Sequence, residues 1–396
     1  MKGHRPEVAD IFRQHEKEFL ERWRSALSDR QLQTLRDIGA CRTAALGAHL
    51  YQCDRCQRET IVPNSCLNRH CPKCGSTARD RWLEKHSEEL LQVPYSHVIF
   101  TLPHELIPLA LQNPTVVYNI FFRAVSQALL IIAADPRHLG ARLGFLAVLH
   151  TWNQKLQAHP HIHCLVPAGG IAFDQTRWIS CRHPKFFLPA KVLAAKFRGK
   201  FLALLRRAFH RGKLQFRGTA APLQVRKAFD RFTWLLKNRD WVVYAKKPFA
   251  GPTHVIRYLA HYTHRVAIAN GRLIHFENGQ VTFRWRDSAH GNKQKVMTLE
   301  ALEFMRRFLL HVLPRGFVKI RHFGFLANRE RRHALPLCST LLPSSQPVNE
   351  SGRAENSSSS REVRLCPYCQ GTLVPLARLT LVQLLARQLI PALDTS

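Results

Sequence analysis

Three groups of residues in this chain stand at spacings that chemistry uses. Residues 159–163 read HPHIH. On a β-strand, residues two apart share a face, so His161 and His163 can offer two imidazole nitrogens to one cation while Ile162 and Cys164 turn towards a core. His150, in GFLAVLHTW, falls on what reads as the neighbouring strand and is the candidate third ligand. In HVIRYLAHYTHRVAI, Tyr258 and Tyr262 are four residues apart, which puts both phenols on one face of a helix, with Arg265 further along the same stripe. Cys53 and Cys56 form one CxxC pair and Cys71 and Cys74 a second, with fourteen residues between the pairs.

The histidines and tyrosines are each ambiguous alone. A chain with 22 histidines contains chance pairs, and two tyrosines at a helix edge are commonly just packing. Together, within a basic unit of mixed strands and helices, they point to phosphoryl transfer with tyrosine as a covalent nucleophile. A phenol with pKa ~10 is a weak nucleophile at neutral pH. A divalent ion on the histidines, Mg2+ or Mn2+ rather than zinc, would polarise the scissile phosphate and offset charge in the transition state. Two tyrosines would let a strand be cut at one place and passed to another.

The cysteines imply different chemistry. Two CxxC pairs can bring four thiolates to one Zn2+ at ~2.3 Å, a closed tetrahedron with a structural role. The expected ligands are Cys53, Cys56, Cys71 and Cys74. Cys41, His49, Cys66 and His70 are further candidates, as alternative ligands or as a second site. Cys366-Pro-Tyr-Cys369 is half a knuckle that needs two more ligands, for which Cys338 and His333 are candidates.

The chain that must position these groups has 396 residues, 59 lysines and arginines and only 27 acidic residues, a formal charge of +32. A polyphosphate backbone is the natural partner for that surface. The N-terminus is charged and has no apolar signal-peptide core, and residues 116–134 are interrupted by Asn119, Arg123 and Gln127, which reads as a core helix. A cytoplasmic protein with no membrane partner is expected, and its eleven cysteines then point to metal rather than disulfides. Residues 1–40 have helical periodicity. HVIFTLP, residues 144–152 and residues 161–170 read as strands, the last two as an antiparallel pair. Helices are expected at 190–212, 220–238, 253–265 and 298–312, and WVVYAKKP as a strand. A β-meander with turns at Asn270-Gly271 and Asn278-Gly279 lies between the last two helices. Residues 343–362 form a Ser-rich linker.

Several blocks together resemble the two-tyrosine HUH transposases of the insertion-sequence ninety-one family. NSCLNRHCPKC resembles the zinc-binding segment, LHTWNQKLQAHPHIHCLVPAGG the histidine motif, VYAKKPFAGPTHVIRYLAHYTHRVAI the tyrosine block and FLLHVLPRGFVKIRHFGFLANR the closing segment. The resemblance implies cleavage and rejoining of single-stranded DNA at element ends through 5′-phosphotyrosine intermediates, as in rolling-circle transposition. His161 and His163 become metal ligands, Tyr258 and Tyr262 nucleophiles, and Lys246, Lys247 and Arg265 DNA contacts. The implied fold is α+β: a helical and zinc-binding unit at 1–90, an HUH endonuclease unit of antiparallel sheet flanked by helices at 91–335, and a linker and tail at 336–396. A replication initiator or relaxase with the same chemistry, or a non-catalytic zinc-knuckle DNA binder, remain alternatives.

Overall fold

Two N-terminal helices form where one helical stretch was expected. The computed structural model describes residues 5–75, 89–181, 188–245, 266–287, 290–342 and 364–387. Helix α1 spans Val8–Trp23 and α2 spans Asp29–Ala40. They separate at Ser28, whose side chain accepts the Gln31 N–H while the Gln31 side chain accepts the Ser28 N–H, a reciprocal cap that restarts the helix. There follow strands β1 (Ala48–Cys53), β2 (Glu59–Pro63) and β3 (Tyr95–Thr101), helices α3 (Ile107–Gln112) and α4 (Pro114–Ala134), and strands β4 (Gly144–Trp152), β5 (Ala158–Pro167), β6 (Gly169–Ile171) and β7 (Trp178–Ser180). Helices α5 (Ala190–His210) and α6 (Arg226–Lys237) lead to β8 (Val243–Ala245). Then come β9 (Leu273–Glu277), β10 (Gln280–Asp287), β11 (Lys293–Glu300), α7 (Ala301–Leu309), β12 (Ile320–Gly324), α8 (Arg331–Leu341), β13 (Leu373–Leu379) and α9 (Leu381–Ala386).

The main sheet has the order β12-β4-β5-β3-β8, with every pairing antiparallel. Alternation along its strands sorts side chains between two covers. Phe100, Phe145, Leu149, Ile162, Cys164 and Val166 face a core built with α4 and α5, in which Phe121 stacks on Phe197 at 5.5 Å. Tyr95, Leu146, Val148 and Leu165 face the other way, against Ala334 and Cys338 of α8. Helix α4 is long and apolar enough to cross a membrane by length and composition, yet 67% of that stretch is buried in this core.

A second core joins the chain's beginning to its later part. Phe12, Phe19, Leu35 and Ile38 of α1 and α2 pack with Val281 and Phe283 of β10 and with Phe304 and Phe308 of α7. The helical part of the first expected unit therefore shares its core with residues beyond 266. The meander is shifted from the sequence reading: Asn270–Arg272 is a 3-10 turn, and β9, β10 and β11 form the sheet. The turn at Asn278-Gly279 is present, with φ of 51° and 70°, the left-handed pair that a tight hairpin requires.

The tip of the β4–β5 hairpin is fastened to this second core. Asn153 Oδ1 accepts the N–H groups of Lys155 and Gln157 at 2.9 and 3.0 Å. Leu156 is fully buried among the second core's residues. Arg272 and Arg307 donate to the carbonyls of Gln154 and Lys155, and the Lys155 ammonium lies 4.2 Å from the Trp285 ring centre.

The tail is not a separate appendage. Strand β13 pairs antiparallel with β1, giving a sheet of order β13-β1-β2. Residues 364–387 thus complete the N-terminal sheet, which departs from the expected third unit at 336–396.

Candidate functional site

The alternation that buries Leu146, Val148 and Leu165 continues along the same sheet face as histidine. His150 of β4 stands opposite His161 of β5 in the ladder, and Val148 stands opposite His163. The ring centres of His150 and His163 are 4.6 Å apart, those of His161 and His163 4.7 Å, and those of His150 and His161 5.4 Å. One nitrogen from each ring can be chosen so that all three lie within 4.8 Å of one another. His150 and His163 are buried, whereas His161 is half exposed, so the group opens to solvent along β5. His159 is exposed and is not one of the three.

Hydrogen bonds orient these rings. His161 Nδ1 lies 2.7 Å from the His159 carbonyl, which can only accept, so Nδ1 carries the proton and Nε2 keeps its lone pair. His163 Nδ1 lies 2.8 Å from Nε2 of His97, a fully buried residue of β3 whose ring stacks on His163 at 5.0 Å between centres. When His163 Nδ1–H donates to His97, Nε2 is again the nitrogen with a lone pair. His150 is stacked on Trp152 at 4.8 Å. Three imidazoles so held suit a divalent cation and leave coordination positions open. The sequence reading missed His97. Its only signal was an isolated histidine in HVIFTLP, and the register that brings β3 beside β5 gives it meaning.

The cysteines gather differently from the expectation. Cys53, Cys56, Cys71 and Cys74 do not form one group; they split between two. Cys71 and Cys74 join Cys41 and Cys66, and Cys53 and Cys56 join Cys366 and Cys369. The reason lies in the intervening strand. Cys41 ends α2 beside the second core, while β1 carries the chain from Ala48 to Cys53, about 17 Å of extended backbone away. There the first knuckle meets the tail. In one cluster Cys74 Sγ is 3.6 Å from Cys41 and 3.7 Å from Cys66. In the other, Cys53–Cys369 is 3.4 Å and Cys56–Cys366 3.7 Å. Four sulfurs around Zn2+ at ~2.3 Å would be about 3.8 Å apart, so the donor sets fit structural zinc.

The remaining candidates have other roles. His49 Nδ1 lies 2.7 Å from Asn64 Oδ1. His70 is half-buried, its Nε2 accepts the Leu313 N–H at 3.4 Å, and desolvation holds its pKa well below the usual histidine value. Cys338 is buried in the core beneath α8, and His333 is exposed on the same helix; neither belongs to the cluster of Cys366 and Cys369. Tyr258, Tyr262, Lys246, Lys247 and Arg265 lie outside the described residues.

Residues 11–102 match a family described as "Transposase zinc-binding domain", and residues 144–334 match one described as "Putative transposase". A protein of Sinorhizobium fredii, "Putative transposase y4qJ", is 49% identical over 379 residues, 94% of this chain and 95% of the relative. The chain belongs to the insertion-sequence ninety-one family of transposases. A second relative of this transposase, "Transposase for insertion sequence element IS801" of Pseudomonas savastanoi pv. phaseolicola, is 30% identical over 323 residues, 80% of this chain and 73% of the relative. No solved structure matches it. As a transposase it acts on DNA, which accounts for a charge of +32. The transposase match contains His150, His161 and His163, and the zinc-binding match contains Cys41, Cys53, Cys56, Cys66, Cys71 and Cys74.

Proposed function

We propose that this transposase cuts and rejoins single-stranded DNA at its element's ends by metal-dependent, rolling-circle-like transposition through 5′-phosphotyrosine intermediates, in the cytoplasm. The observation that carries the reading is the convergence of His150, His161 and His163, with nitrogens within 4.8 Å of one another on one face of an antiparallel sheet. These three residues hold a divalent ion, Mg2+ or Mn2+, which when bound supplies charge to a scissile phosphate. Donation from His161 Nδ1 to the His159 carbonyl leaves its Nε2 available as a ligand, and His163 Nε2 is equally available in the tautomer whose Nδ1–H donates to His97.

Tyr258 and Tyr262 are the nucleophiles. The phenol gives up its proton as its oxygen bonds to phosphorus, the bond from phosphorus to the 3′ oxygen breaks, and the departing 3′ oxygen takes a proton to leave as a hydroxyl. The phosphodiester energy is kept in the tyrosine link, so the reverse reaction can join the strand to a new 3′ end. Lys246, Lys247 and Arg265 serve as phosphate contacts beside the tyrosines.

Incubating the full-length protein with single-stranded DNA from its element's end and Mg2+ or Mn2+ should give a covalent adduct visible on a denaturing gel. H161A/H163A and Y258F/Y262F should each abolish it while retaining DNA binding. Adduct formation by the double tyrosine variant, or undiminished cleavage by the double histidine variant, would overturn the assignment. DNA binding with no cleavage by any form would favour a non-catalytic zinc-knuckle protein.

A further inference from the structure

The cluster of Cys53, Cys56, Cys366 and Cys369 is only half inside the matched zinc-binding region, which ends at residue 102. The tail that supplies the other half is outside both matched regions. We propose that these four thiolates form a second structural zinc site, and that this metal clasps residues 364–387 onto the N-terminal sheet.

The two contributing segments have the same local architecture. In the first, the Gln57 N–H donates to the Cys53 carbonyl at 3.0 Å, Cys53 N–H donates to Arg58 at 3.0 Å, and Gln57 has φ 58°. In the second, the Gln370 N–H donates to Cys366 at 3.0 Å, Cys366 N–H donates to Gly371 at 2.7 Å, and Gln370 has φ 60°. Each turn folds a CxxC pair back on itself so that both sulfurs point the same way. The Arg55 and Cys56 N–H groups point at Cys53 Sγ at 3.4 Å each, an arrangement that favours the thiolate a metal needs. With sulfur separations of 3.4 and 3.7 Å across the two knuckles, the set fits a closed tetrahedron. Four thiolates with no open position select zinc as a structural ion.

The protein around the cluster fits it closely. Cys53, Cys366 and Leu373 are buried together. Asp54 bonds Thr372 in both directions, by its N–H to the Thr372 carbonyl at 2.9 Å and by its carboxylate from the Thr372 N–H at 2.8 Å. Arg58 lies over Tyr368, and Arg364 over Tyr51, so each segment covers the other. A Cβ at Gly371 would stand 2.9 Å from Cys53 Sγ and 2.8 Å from the Asp54 carboxylate, which only glycine avoids. Beyond the cluster, β13 extends the contact along the whole of β1.

The experiment is metal stoichiometry on the full-length protein by elemental analysis, paired with thiol mapping. Two zinc ions per chain are expected, falling to one in C366S/C369S, in C53S/C56S and in the variant combining all four. In the unaltered protein, iodoacetamide should spare Cys366 and Cys369 until a strong chelator is added, with mass spectrometry reading each peptide. This second measurement needs no variant to fold. One zinc per chain, iron in zinc's place, or immediate alkylation of Cys366 and Cys369 without chelator would each overturn the proposal.

Discussion

Protonating His311 should loosen the tip of the β4–β5 hairpin. This residue follows α7 and is buried, with its Nε2–H donating to the Leu156 carbonyl at 3.0 Å and its Nδ1 lying 3.2 Å from the Thr151 hydroxyl, which donates to it. Burial, offset by the bond to Leu156, pushes its pKa from 6.5 down to about 4. Because the unfolded chain binds the proton more readily, the stabilisation is complete above pH 6.5 and is lost as pH falls through about 4. At about 1.36 kcal/mol per unit, the folded protein loses about 2 kcal/mol between pH 7 and 5 from this residue, and about 3 kcal/mol once it is protonated in both states. H311Q keeps a donor and an acceptor but does not titrate. Urea unfolding at pH 7 and pH 5 should therefore show the unaltered protein losing about 2 kcal/mol more than H311Q over that interval. Parallel losses in the two proteins would refute the reasoning.

Three further outcomes are expected. If the proposed divalent ion is bound, H97A should raise the metal concentration for half-maximal cleavage about 10–100-fold with little change in rate at saturating metal, and H97Q should recover part of the loss; an unchanged metal titration would remove His97 from a positioning role. Arg69 donates to the carbonyls of Leu313, Pro314 and Phe317, so R69A should cost about 2 kcal/mol in urea unfolding. R69K should recover less than half of that loss, because a point charge cannot span three acceptors. Affinity for single-stranded DNA should fall about 300-fold between 50 and 200 mM salt if six phosphates are neutralised, measured by fluorescence anisotropy; a flat response would exclude backbone neutralisation as the source of binding.

The histidine face was legible because its logic is local. Period-two alternation decides which way His161 and His163 point, and the short link of residues 153–157 leaves β4 and β5 little choice but to pair. His97 was not legible, since its role depends on a register set between strands 66 residues apart. The cysteine pairs illustrate the same limit. Spacing identified CxxC as a two-sulfur unit, but the partner of a knuckle is chosen by tertiary structure, and the sulfur partners Cys56 and Cys366 are 310 residues apart. Helix boundaries failed for a smaller reason: the cap at Ser28 divides one periodic stretch, and β11 occupies the beginning of the helix expected at 298–312.

The pairing of β13 with β1 has a bearing on how this protein is made. During translation β1 emerges well before its outer neighbour, which arrives only after the five-stranded main sheet, the meander and α8 have all been synthesised. Until then β1 has one unpaired edge, and Cys53 and Cys56 lack their partners. A reading frame interrupted upstream of residue 366 would leave a molecule with its histidine strands encoded in full but its first sheet open, ready to accept a stray strand or a foreign metal. Damage to the codons for β13 would thus be felt in the sheet that β1 begins.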